Sequence, residues 1–121
     1  MSYDDNNIFA KILRGEIPCK KIYEDEFVLS FYDINPQKKV HALVIPKGKY
    51  IDLDDFCRNA STNEMVGMFK GIEKVSKKLG ISMDSGKGYR ALSNIGVDGG
   101  QEVPHLHFHL FGGEKIGRMV S

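Results

Sequence analysis

The sequence predicts an α+β fold: a single domain with a mainly antiparallel five-stranded sheet, one short N-terminal helix and one long helix. Three observations predict it. Residues 104–111 alternate polar and apolar with strict period 2, residues 62–79 carry an apolar side chain every three or four positions, and β-prone runs separated by turn residues fill 20–45. No internal repeat and no linker interrupts the 121 residues, so all of 1–121 forms one domain, with 1–6 expected as a flexible leader and 114–121 as a tail. A chain of this length buries only about two-thirds of its unfolded surface, which favours assembly with a second copy.

The elements follow in order. Asn6 or Asn7 can cap a short helix whose Ile8, Phe9, Ile12 and Leu13 share one face, and Gly15 supplies its stop. Residues 20–24 and 27–32 are β-prone runs around Asp25-Glu26, a hairpin, and Asp33-Ile34-Asn35-Pro36 ends that ladder with turn residues. His41-Ala42-Leu43-Val44-Ile45 is an apolar, central strand closed by Pro46. Ser61 and Glu64 match a capping box, and behind them Met65, Met68, Phe69, Ile72, Val75 and Leu79 form the packing stripe of one long helix that stops at Gly80. Residues 88–94 read as a strand, 95–101 as a glycine-rich loop, and 106–111 as the final strand. The glycines are expected to mark turns.

Composition excludes several functions. With 17 Lys+Arg against 16 Asp+Glu the net charge is +1, and no basic run offers a field for a nucleic-acid backbone or an acidic membrane. No apolar run approaches the roughly 20 residues that span a bilayer. The polar, acidic start lacks a secretory apolar region, and Cys19 and Cys57 form neither a disulfide framework nor a Cys-x-x-Cys motif. A cytoplasmic protein with reduced thiols is expected.

The chemistry concentrates in Pro104-His105-Leu106-His107-Phe108-His109-Leu110-Phe111. On a strand, His105, His107 and His109 share one face while Leu106, Phe108 and Leu110 enter the core. On a helix the same residues would scatter around the axis. Three readings compete: histidines that serve the fold alone, a zinc hydrolase site with His41 or Glu102 as a further ligand, and an imidazole nucleophile that attacks phosphorus. The middle histidine, His107, is the one that both neighbours can orient.

His105-Leu106-His107-Phe108-His109-Leu110-Phe111 resembles the His-φ-His-φ-His-φ-φ motif (φ apolar) of the histidine-triad superfamily. The likeness extends from about Asn7 to Gly113. Ile8-Phe9-x-Lys11-Ile12, Gly15-Glu16-Ile17-Pro18, Phe31-x-Asp33-Ile34-Asn35-Pro36, His41-x-Leu43-Val44-Ile45-Pro46-Lys47, Gly88-Tyr89-Arg90, Asn94, Gly99-Gly100-Gln101 and Gly112-Gly113 fall in the order of its Hint branch, the nucleoside phosphoramidases. The resemblance implies a histidine-triad fold, cleavage of adenosine or guanosine 5′-monophosphoramidates through a nucleotidyl-His107 intermediate, and no metal or other cofactor. It implies a homodimer that pairs helix 62–79 and one sheet edge across a two-fold.

Residue by residue, the resemblance makes His105, His107, His109 and His41 the catalytic histidines. Asn94, Gly100, Gln101, His107 and His109 would hold the phosphate, with amide donors from the 96–100 loop. Asp33 would accept bonds from the ribose hydroxyls, where the sequence alone equally allows a turn carboxylate. Ile8, Phe9, Ile12, Phe31 and Ile34 would form the purine pocket, where the alternative is plain packing. Glu102 departs from the Ser or Thr of well-known relatives and could serve as acid to the leaving amine. The tail after Gly113 lacks the aromatic and prolines that reach the partner's site in many relatives. The remaining alternative is a purine-nucleotide-binding protein without turnover.

Overall fold

The computed structural model describes residues 2–84 and 86–120. It consists of helix α1 (Ile8–Leu13), strands β1 (Lys21–Glu24), β2 (Val28–Tyr32) and β3 (Val40–Pro46), helices α2 (Leu53–Asn59) and α3 (Thr62–Lys78), and strands β4 (Arg90–Leu92) and β5 (Phe108–Gly112). The strands form one antiparallel five-stranded sheet in the order β1-β2-β3-β5-β4, as expected. Strands β3 and β5, which carry His41 and His109, are therefore interior neighbours and hold those side chains on a framework fixed from both sides.

The two faces of the sheet have different covers. Val28, Ala42, Val44, Leu106 and Leu110 point to the face under α3, where Met68, Ile72 and Val75 meet them. Leu29, Phe31, Leu43 and Ile45 point to the opposite face, covered by Phe9 of α1 with Ile12 and Leu13 beside it. The caps behave as their sequences dictate. Asn7 Oδ1 accepts from the Ala10 amide at 2.9 Å, and Ser61 and Glu64 satisfy each other's backbone N–H groups in a full capping box. Gly15 and Gly80 follow the helix ends with φ of 78° and 73°, the left-handed stop that a side chain resists.

Several expectations change. Helix α2 was not foreseen; Asp52 caps it, and Phe56 enters the core beside Tyr50. Two glycines do not mark turns. An added Cβ at Gly67 would lie 2.4 Å from Phe27 and one at Gly71 2.7 Å from Val28, so both let α3 approach the β1–β2 hairpin closely. The strand expected at 88–94 is only Arg90–Leu92. Residues 2–6 are tied down, through Lys49 on Asp5 at 2.8 Å, Arg14 on the Asp5 carbonyl at 2.8 Å, and Tyr3 on His105. The expected leader also includes Met1, which lies outside the described residues. The tail lies on its own chain, where the Arg90 guanidinium donates to the carbonyls of Gly117 and Arg118, each at 2.9 Å; Ser121 lies outside the described residues. Cys19 and Cys57 are free thiols. No helix among the described residues is long and apolar enough to cross a membrane.

Candidate active site

The final strand begins at Phe108, two residues later than the alternation predicts. The reason is its neighbour. Beyond the Val44–Phe108 pair, β3 reaches Pro46, which has no N–H to give, and the Pro46 carbonyl is taken by the His105 ring at 2.9 Å. Residues 105–107 therefore leave the ladder, anchored instead by the Leu106 amide on the Tyr50 carbonyl at 2.8 Å. The alternation of side chains survives. Leu106 and Leu110 stay in the core under α3, while the three histidine rings stand on the α1 side, where Phe9 contacts the rings of His105 and His107 edge-on.

Hydrogen bonds assign a tautomer to each ring. His107 Nδ1 lies 2.7 Å from the His105 carbonyl, so Nδ1 carries the proton and Nε2 keeps a lone pair. His105 donates from Nε2 to Pro46 and accepts at Nδ1 from the Tyr3 hydroxyl. The Gln37 amide donates to His41 Nδ1 at 3.0 Å, which puts the His41 proton on Nε2, 2.9 Å from His109 Nδ1. His109 is then the acceptor at Nδ1 and a donor at Nε2. Both nitrogens of His105 and both of His41 are thus occupied by the protein. Only the Nε2 atoms of His107 and His109 have no protein partner among the described residues, and neither is sealed from solvent. Of the four histidines expected to be catalytic, two have a nitrogen to offer.

Burial keeps the rings neutral. It pushes His105 down to about 4 against the bond to Pro46, which favours the charged form. Burial, with His107 and His41 beside it, pushes His109 to about 4. Burial lowers His107, opposed by the His105 carbonyl and then by the Asp33 and Glu102 carboxylates, and it lowers His41, opposed by Asp33. A neutral imidazole is the form that attacks an electrophile.

The other expected site residues fare unequally. Asp33 Oδ2 lies 3.3 Å from His41 Nε2, while Oδ1 accepts from the Asn35 amide at 2.8 Å, so the carboxylate both shapes the turn and stands beside the histidines. The Gln101 side chain is engaged within the protein: its amide donates to the carbonyls of Ile51 and Val103 at 2.7 and 3.0 Å and accepts from the Gly96 amide at 3.1 Å. The amides of Gly100 and Gln101 are bonded to the carbonyls of Val97 and Gly96, so the loop spends these donors on itself. Asn94 is half-buried and follows Ser93, whose hydroxyl donates to the His107 carbonyl at 2.8 Å. Glu102 is exposed. The expected purine pocket divides: Phe9 and Phe31 are buried against each other, Ile12 packs on them, and Ile8 and Ile34 are 47% and 91% exposed.

Asp33, His41 and His109 also bring three potential metal-ligand atoms within 4.8 Å of one another. In the tautomers above, a metal there would have to displace the proton that His41 donates to His109. Ser93, Gln37, Pro46 and Tyr3, which hold the histidines, carry no spacing signal that sequence reasoning could have used.

Comparison with known proteins decides the family: residues 14–116 match the HIT domain. The chain belongs to the HIT, or histidine-triad, family. It is 52% identical over 120 residues to an uncharacterized HIT-like protein of Azospirillum brasilense, covering 99% of this chain and 96% of that protein. It is 38% identical over 118 residues to the purine nucleoside phosphoramidase of Escherichia coli K12, covering 97% of this chain and 95% of the enzyme. A HIT family hydrolase from Clostridium thermocellum superposes with a TM-score of 0.84 at 39% identity, covering 98% of this HIT chain and 99% of the other.

Proposed function

We propose that this HIT protein is a purine nucleoside phosphoramidase that works through a covalent nucleotidyl intermediate on His107 without a metal. The observation that carries the reading is the tautomer pair: a lone pair on His107 Nε2 and a proton on His109 Nε2, the two ring nitrogens of the cluster left free by the protein. In the first step, His107 Nε2 attacks the phosphorus of a nucleoside 5′-phosphoramidate, the P–N bond breaks, and the amine leaves with a proton taken from solvent, which the water of the second step returns. The His109 N–H stabilises charge on a non-bridging oxygen. Water then attacks the nucleotidyl-histidine, releasing the nucleoside monophosphate and restoring the imidazole.

The His105 carbonyl supports both steps, because its bond to Nδ1–H stabilises the positive charge that His107 carries while bonded to phosphorus. In this reading Asp33, beside His41, accepts from the ribose, and exposed Ile8 and Ile34 offer apolar surface to a purine. The 38% identity to the Escherichia coli phosphoramidase supports the choice of substrate class. Exposed Val66 and Phe69 on the outer side of α3, with Phe69 against Phe108, support a homodimer through that helix.

The test is rapid quenching with a slowly turned-over adenosine phosphoramidate followed by mass spectrometry. A nucleotidyl adduct on the peptide bearing His107, and turnover unchanged by EDTA, are the expected results. Turnover without an adduct, or its loss on chelation with recovery on adding Zn²⁺, sinks the reading.

A further inference from the structure

Tyr3 sits 102 residues from His105 in sequence, yet its hydroxyl lies 2.5 Å from His105 Nδ1. His105 Nε2 must carry the proton it gives to Pro46, so Nδ1 is a lone pair and the phenol is the donor. Burial raises the Tyr3 pKa, so the phenol keeps that proton. The two rings meet edge-on at 5.6 Å and 72°. The next residues continue the contact. The Asp4 carbonyl accepts from both the backbone and side-chain amides of Asn7, Asn7 caps α1, and α1 carries Phe9 to the edge of the His107 ring at 5.0 Å. The segment from Tyr3 to Phe9 therefore touches the histidine row at His105, through Tyr3 and Phe9, and at His107, through Phe9.

We propose that Tyr3 is a positioning residue for the nucleophile: its hydroxyl holds the His105 ring in one tautomer and orientation, and the His105 carbonyl then keeps His107 Nδ1–H bound with Nε2 directed outward. The proposal rests on His107 as the nucleophile and adds a residue from the far end of the chain to the machinery. Without the hydroxyl, His105 Nδ1 is a buried acceptor with no donor. The ring satisfies it only by turning or by taking a proton, and either change loosens the bond to Pro46 and the turn that presents the His105 carbonyl.

Tyr3→Phe tests this, because it keeps the ring and removes only the hydroxyl. In long-range proton–nitrogen NMR of the free, full-length protein, the wild type should show His105 protonated on Nε2 and His107 on Nδ1. In the variant the His105 Nδ1 resonance and the His107 Nδ1–H resonance should both move. The rate of nucleotidyl-enzyme formation should fall about tenfold, the effect of one buried hydrogen bond, while KM changes less than about twofold. Unchanged His107 resonances overturn the proposal, and so does a rate within twofold of wild type. A rate loss matched by loss of folded protein, measured by circular dichroism on the same sample, also overturns it, since Tyr3 would then be an anchor alone. The NMR readout needs no turnover. A wild type that forms no adduct therefore counts against the phosphoramidase reading, while the His107 shift still decides the role of Tyr3. Tyr3→Leu, which removes the aromatic edge as well, should reproduce the Tyr3→Phe shifts; wild-type resonances in it would overturn the proposal.

Discussion

The two faces of the sheet solve opposite problems with the same strands. Under α3, a helix of 17 residues covers Val28, Ala42, Val44, Leu106 and Leu110, and the contacts are almost wholly apolar. On the other face, the six residues of α1 bring Phe9 onto Leu29, Phe31, Leu43 and Ile45, and beside that small cluster the rows continue as four histidines. Apolar burial cannot orient an imidazole, because it is non-directional. Orientation on that face comes from Pro46, Gln37, Ser93, Tyr3 and the backbone of His105 itself. One face supplies stability and the other spends part of it to hold neutral rings in defined tautomers.

That division breaks most sharply under substitution of single residues on each face. On the proposed function, His107→Ala should reduce phosphoramidate turnover by on the order of 10³-fold or more, since it removes the proposed nucleophile, while the urea midpoint stays close to wild type. Leu110→Ala, three residues on and on the opposite face of the sheet, should do the reverse. It empties a fully buried site and should cost roughly 2–5 kcal/mol of stability, read by urea denaturation, with kcat per folded molecule unchanged. A stable but inactive Leu110→Ala would show that the faces are not independent.

How much of this was legible in the sequence follows the same division. The α3 face was read almost completely, because packing surfaces are periodic: the stripe from Met65 to Leu79, the capping box at Ser61 and the alternation around Leu106 and Leu110 are local patterns, and within the stripe Phe69 is the exception, 63% exposed where packing was expected. The histidine face was read as to which residues, and only partly as to what each does. Three rings on one side followed from period 2, but the occupation of His105 and His41 by protein partners depends on Pro46, Tyr3 and Gln37, whose meeting with them is set by tertiary structure. The Gln101 side chain and the 96–100 loop amides were expected to hold phosphate; a glycine-rich loop offers donors in sequence, and the fold bonds the Gly100 and Gln101 amides to the loop's own carbonyls, the Gly96 amide to the Gln101 side chain, and that side chain to Ile51 and Val103. Helix α2 was missed although Asp52 is a fair cap, because only Leu53 and Phe56 mark its packed side, where the shorter α1 offers four large apolar residues.

Acid should act on the histidine face before the other. His105 and His109 are held at about 4 in the fold, mainly by burial, against 6.5 for an unburied ring, and burial lowers His107 and His41 as well. Between those values the unfolded chain binds more protons than the folded one, so stability rises with pH across that window and is lost as pH falls from about 6.5 toward 4. The urea midpoint should be lower at pH 5 than at pH 7. In His109→Gln the difference should shrink; an equal difference would place the sensitivity elsewhere.

The smallest effect belongs to the glycines of α3, and it separates two kinds of close approach on the stable face. Alanine in a helix interior gains about 1 kcal/mol over glycine, so Gly67→Ala and Gly71→Ala would each stabilise if nothing stood in the way. Something stands in both. At Gly71 the obstacle is Val28, fully buried and paired with Pro46 across the ladder, so the helix itself must move. At Gly67 it is Phe27, whose Cγ lies 2.4 Å and Cβ 2.7 Å from the added methyl; turning the ring cannot move the Cβ, so the backbone must give there as well. Overpacking costs about 1–3 kcal/mol. Gly71→Ala should therefore destabilise by about 1 kcal/mol net, Gly67→Ala by more, and neither should alter kcat, because the displaced contacts lie across the sheet from His107. Equal thermal shifts in the two variants would mean that the hairpin yields as one unit, and that Phe27 is no better fixed than Val28.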